Sequence, residues 1–219
     1  MTLLMRRRIA RLHGLSGLLI ALFAALHLLN HAAAFSGPQA FSSFRSLLRR
    51  LYQQPVYELV CLFLPILFNT VTGIWMVVSA PATRQASLPP ARRLQRLSGL
   101  CLAFLLLPHM AATRGLGLGW DLQLDFHFIA STLRGFGGFV FAAWYGLLVV
   151  CAATHLSLGI FLLFDGEGSF PGRRERATAA CLLGIVGFLL LGCGLLGLLS
   201  YAGWIYPPPI YEPLPPPPR

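Results

Sequence analysis

Six histidines stand in a chain poor in polar residues, and five of them lie in apolar surroundings. His13, His27 and His31 share the segment "LHGLSGLLIALFAALHLLNH", residues 12–31. At 100° per residue the three fall within about 40° of one another around a helix axis, so they form one stripe. His109 closes "SGLCLAFLLLPH" and His155 sits in "CAATHLSLGI". Imidazoles ligate metals, carry protons and hydrogen-bond carbonyls. Inside a membrane such groups are costly and mark functional positions. His127 lies in a loop, where solvation accounts for it.

The elements that position these residues are apolar runs. Of 219 residues, 56% are hydrophobic and 11% charged, with a mean hydropathy of +0.69. A hydrocarbon core about 30 Å thick needs about 20 apolar residues per helix. Five stretches qualify, at roughly 13–34, 56–79, 96–113, 136–164 and 177–202. The pattern predicts an all-α polytopic membrane protein: a five-helix transmembrane bundle over 1–206 and a Pro-rich tail over 207–219, extended as polyproline. Basic residues precede the first run as they would a signal peptide. That run is longer than the about 7–15 apolar residues of a signal peptide, and its histidine stripe continues to the far end, so it is expected to be a retained helix. The connections are short and leave no room for a sizeable soluble domain. The loops "SGPQAFSSFRSLLRRLYQQP" and "TRGLGLGWDLQLDFHFIAST" each contain a segment able to lie along the interface.

All 17 basic residues are arginine. With the N-terminus inside, Arg6, Arg7, Arg8, Arg11, Arg84, Arg92, Arg93, Arg96, Arg173, Arg174 and Arg176 are cytoplasmic, 11 of 17. Arg45, Arg49, Arg50, Arg114, Arg134 and Arg219 are outside, so the positive-inside rule favours N-in, C-out. Topology thus accounts for the net charge of +10, and nucleic-acid binding is not needed to explain it. Membrane lipid headgroups or a partner could also use these arginines. The five cysteines lie within the predicted helices without a C-x-x-C pair and read as small packing residues.

Depth can be counted in this topology. His27 lies 16 residues beyond Arg11 and His109 lies 13 beyond Arg96. At 1.5 Å per residue those are about 24 and about 20 Å from the inner charged belt, on the first and third helices. Two imidazoles at matched depth on separate helices suit a six-coordinate haem, which carries electrons without binding oxygen because no axial position is open. His155 falls in the inner half, and the residue at corresponding depth on the second helix is Asn69. Gly17, Gly73 and Gly159 follow His13, Asn69 and His155 by four residues. They leave room beside the helices for a macrocycle edge or for an ordinary helix contact. His13 and His31 stand one at each interface, as solvated groups or as contacts to haem propionate or quinone.

The order of motifs resembles the five-helix cytochrome b subunit that anchors succinate dehydrogenase and fumarate reductase in the membrane. The resemblance rests on "LHGLSG" and "LHLLNH" in the first helix, "LPILFNTVTGI" in the second, "QRLSGLCLAFLLLPH" in the third and "YGLLVVCAATHLSLGI" in the fourth, covering roughly residues 8–170. In that family four histidines on four helices hold two haems, paired first with third and second with fourth. The resemblance implies that His27 and His109 hold the outer haem b and that His155 is one ligand of an inner haem. Asn69 stands at the expected fourth ligand position. Carboxamide is a poor iron ligand beside imidazole. Three arrangements stay open: one outer haem only, an inner haem held by His155 alone or with another group, or a realigned ligand such as His31.

The resemblance further implies a bacterial inner (cytoplasmic) membrane, with flavoprotein and iron–sulfur subunits docked on the cytoplasmic face. Electrons would pass between the iron–sulfur subunit, haem and a membrane quinone, menaquinone or ubiquinone. Glu58, near the start of the second helix, is placed to relay quinone protons, or is an acid favoured by a helix N-terminus. On the inner side His13, Ser16, Arg96 and Ser98 line a quinone or propionate pocket. Arg96, beside Gln95, suits a carboxylate or simply marks the inner boundary. No dicarboxylate or flavin site is recognisable, so the chain is not expected to be an enzyme alone. Two other readings fit less of the pattern: the cytochrome b subunit of a hydrogenase or formate dehydrogenase, and a haem-free membrane anchor or transporter.

Overall fold

With no water in a bilayer core, every backbone N–H and C=O has to be satisfied within its own helix. The computed structural model describes residues 3–52, 54–81, 87–115 and 124–205. Among these, five helices are long and apolar enough to span a membrane: Leu4–Ser36, Val56–Val78, Pro90–Gly115, Gly138–Gly166 and Arg173–Tyr201. No strand occurs among the described residues, and the protein is an all-α, multi-pass membrane protein. The Pro-rich tail 207–219 lies outside the described residues.

In chain order the α-helices are α1 (Leu3–Ala33), α2 (Pro38–Tyr52), α3 (Pro55–Glu58), α4 (Leu64–Val78), α5 (Pro90–Met110), α6 (Phe126–Arg134), α7 (Gly138–Gly166) and α8 (Arg173–Tyr201). α1 starts well before the apolar run at 13–34, because the arginines that precede it are good helix formers with stems long enough to reach polar surroundings. Prolines open α2, α3 and α5, where a missing N–H costs nothing. Asp125 caps α6 by accepting from Phe128 N at 2.8 Å.

The second and third spans are not regular throughout. Leu59–Phe63 and Ala111–Gly115 are π-helical turns, the first followed by Pro65 and the second preceded by Pro108. Proline removes an i→i−4 bond and clashes with the preceding turn, so a wider turn nearby absorbs the mismatch. Both π turns lie toward the face opposite the N-terminus, called here the far face.

α7 is central, packing against α5, α8 and α1 and burying Leu148, Val149, Cys151, Ala153 and Leu156. α1 also packs against α8 and α4, so the first and last spans are neighbours. At Gly197 of α8 an added Cβ would sit 2.8 Å from His31 O, so only glycine lets the two backbones approach this closely. Large apolar side chains elsewhere face outward, among them Phe104, Phe188 and Leu189, as a hydrocarbon solvent permits. On the far face α2 and α6 fold over the bundle, and Ala34, Phe41, Phe126, Ala130, Leu133 and Tyr201 form a buried cluster. On the N-terminal face Arg6 Nη2 donates to Ser79 O at 3.2 Å, tying the start of α1 to the end of α4.

Candidate functional site

The α1 stripe delivers its histidines at two levels. Toward the far face, the rings of His27 on α1 and His109 on α5 have centroids 6.2 Å apart at 65° to one another. Phe23 stacks on His27 at 5.5 Å, and Tyr145 of α7 meets His109 edge-on at 5.7 Å. His31, one turn beyond His27, places Nε2 3.3 Å from His27 Nε2 and shares a 2.9 Å hydrogen bond from Nδ1 to the Tyr201 hydroxyl. Tyr201 is 1% exposed, and Phe41 and Phe126 pack on it at 5.8 and 5.2 Å. This aromatic cap closes the level from the far side.

His109 Nδ1 is buried without a hydrogen-bond partner. Such a group costs about 1–3 kcal/mol when left unmet. Internal structure therefore does not use up this imidazole. A metal bonded to one nitrogen of each ring at about 2 Å, the usual metal–imidazole distance, fits a spacing of this size. Two imidazoles from separate helices at this separation are the donor set of a bis-imidazole iron, which His27 would join by exchanging its 3.3 Å contact with His31 for the metal.

The level nearer the N-terminal face is organised differently. His155 Nδ1 is 2.9 Å from Gln95 O and 3.4 Å from Ser98 Oγ, and its Nε2 is 3.3 Å from Gln95 Nε2. It is held against α5. Asn69 does not face His155 but donates from Nδ2 to Ser16 Oγ at 2.5 Å and to Pro65 O at 3.2 Å. His13 Nδ1 is 2.8 Å from Thr72 Oγ1. Depth thus matched Asn69 with His155, but the rotation of α4 about its axis turns Asn69 to α1. Every histidine here is engaged within the protein, and these contacts do not assemble a second facing pair.

The glycines bear on this level. Cβ atoms at Gly17, Gly73 and Gly159 would come 3.6 Å from Asn69 Oδ1, 3.3 Å from His13 Cε1 and 3.0 Å from Gln95 Nε2. Their open sides are occupied by these polar groups. Gly99 is tighter than these three, with a Cβ placed 2.6 Å from His155 Cε1.

Of the remaining sequence-derived candidates, Glu58 is ion-paired with Arg114, joining the ends of the two π turns. Arg96 Nη1 is buried without a partner, and Ser98 donates to Leu94 O at 2.8 Å beside His155. Sequence reasoning missed Thr72, Tyr145, Tyr201 and Arg114. Thr72 was legible as a residue three positions past Asn69 on the same face, whereas Tyr201 required knowing that the last span packs beside the first. Comparison with protein-family models finds no match, and no curated protein matches the chain.

Proposed function

We propose that this chain is a haem-binding membrane-anchor subunit that passes electrons between an iron–sulfur partner and a membrane quinone, of the succinate dehydrogenase and fumarate reductase type. The observation that carries the reading is the facing of His27 and His109 across 6.2 Å, with His109 Nδ1 unmet. These two residues would hold haem b, which would supply one-electron transfer. Phe23 and Tyr145 fix the planes of the two imidazoles, and the Tyr201 cap keeps water from that level. Glu58, partnered by Arg114, is the acid placed to hand on protons at the far end.

The N-terminal face is proposed to be cytoplasmic, with its arginines meeting the flavoprotein and iron–sulfur subunits in a bacterial inner membrane. Asn69 turns to Ser16 and offers His155 no facing imidazole, which favours a single haem over two. The visible spectrum of the purified chain, with a pyridine haemochrome assay, tests the reading. One low-spin haem per chain is expected, lost in both His27→Ala and His109→Ala. A chain without a Soret band, or alanine variants with unchanged spectra, rejects the assignment and leaves a haem-free anchor.

A further inference from the structure

Around the His27–His109 level, three walls are closed by direct packing. On the far side stand the buried rings of Tyr201 and Phe41. Between α1 and α8, added Cβ atoms at Gly194 and Gly197 would come 3.2 Å from Leu28 and 2.8 Å from His31 O, so the helices touch there. Between α5 and α7, Leu105, Leu148 and Cys151 are buried together, with Trp144 and Tyr145 against them. Close-packed walls of this kind do not part without a large loss of contact.

The seam between the second and third spans is built differently. Neither π turn, Leu59–Phe63 or Ala111–Gly115, buries a single residue. In each span the far end lies beyond a proline, and neither Pro65 nor Pro108 can donate to the carbonyl four residues before it, on Cys61 and Phe104. Helices bend most readily at such points. Across the seam Arg114 donates to Glu58. Five residues further into the bundle, about 8 Å along each helix, come His109 on one span and Phe63 on the other. Phe63 is 47% exposed, so the ion pair stands at the mouth of a loosely packed seam that leads to the His109 level.

We infer that this seam is a lateral gate, latched by Arg114 and Glu58, through which haem passes between the lipid and the His27–His109 level. The inference rests on the haem reading proposed above and adds a route of entry to it. An ion pair suits a latch at this place. Once the two charges separate, water and headgroups at the far interface solvate both, so opening costs little more than the pair itself is worth. The bends at Pro65 and Pro108 let the two far ends swing while the packed inner halves of the spans stay in place.

The test uses the full chain, produced without haem and held in lipid nanodiscs. Uptake of added hemin is followed by the growth of the Soret band, and loss by transfer to a haem-scavenging apoglobin. A gate changes passage in both directions by one factor and leaves the equilibrium alone, whereas a packing defect weakens the bound state. Glu58→Gln and Arg114→Gln are each expected to speed uptake and loss about fivefold, with haem affinity kept within about twofold. The exchanged pair, Glu58→Arg with Arg114→Glu, should return both rates to within about twofold of the unaltered chain. Unchanged rates in the single variants, faster loss without faster uptake, or an exchanged pair as fast as the single variants overturns the inference. A haem-bearing chain whose rates ignore the pair overturns the gate alone. A chain that takes up no haem overturns the haem reading and the gate with it.

Discussion

Gly99→Ala sets two effects of opposite sign against each other. A Cβ at this position would sit 2.6 Å from His155 Cε1 and 3.0 Å from Nδ1. Alanine for glycine within a helix is favourable by about 1 kcal/mol. Against this, overpacking costs about 1–3 kcal/mol. Moving the imidazole off its 2.9 Å contact with Gln95 O strands a mostly buried nitrogen, at about 1–3 kcal/mol more. The costs win, for a net loss of about 1–5 kcal/mol. Gly146 of α7 is the control, since nothing lies within 4 Å of its would-be Cβ. Gly146→Ala should keep only the helical gain. Thermal unfolding in detergent, followed by circular dichroism, separates the two, at about 2–4 °C per kcal/mol for a chain of this size. If Gly99→Ala unfolds no lower than Gly146→Ala, His155 is not held against α5 and the account of this level is wrong.

Three further outcomes follow. Tyr201→Phe removes the bond to His31 while keeping the buried ring, and a side-chain hydrogen bond in a membrane bundle is worth about 0.6–2 kcal/mol. The same unfolding assay should register a drop of about 1–8 °C; no drop would mean that the hydroxyl is not a partner of His31. Arg114→Ala should destabilise more than Arg11→Ala, because the Glu58 side chain it abandons is 17% exposed whereas that of Glu167 is 41% exposed. An exposed pair such as Arg11 with Glu167 is worth about 0–1 kcal/mol, so equal effects would place Glu58 in open solvent. Under the proposed function, Asn69→His should leave the haemochrome count at one per chain, because residue 69 is turned to Ser16 of α1 and His155 is held against α5; a count of two would show that the α4 face can be turned toward His155.

The spans were legible because hydrocarbon demands long apolar helices, and the 3.6-residue repeat then placed the α1 histidines on one face. Counting residues from the charged belts also put His27 and His109 at one depth, and the structure brings their rings together. Depth is a coordinate along one axis, however, and it says nothing of rotation about that axis. That is why Asn69, level with His155 by count, turns to Ser16 instead. The extent of α1 depended on arginines that count as loop in a hydropathy scan yet propagate a helix well. The two π turns follow from Pro65 and Pro108 only once the surrounding helix is given, since either proline could equally have ended its span. The Glu58–Arg114 pair joins residues 56 positions apart in sequence, and no local pattern announces it.

Because α7 is the hub of the bundle and α8 closes against α1, assembly during synthesis cannot proceed span by span. The first three spans enter the bilayer before the helix they pack around has been translated. Their polar faces, with imidazole, amide and hydroxyl groups, must then be sheltered by one another or by the insertion machinery. A nascent chain halted ahead of residue 138 would hold His31 without Tyr201 and His109 without Tyr145, while His13 could already meet Thr72.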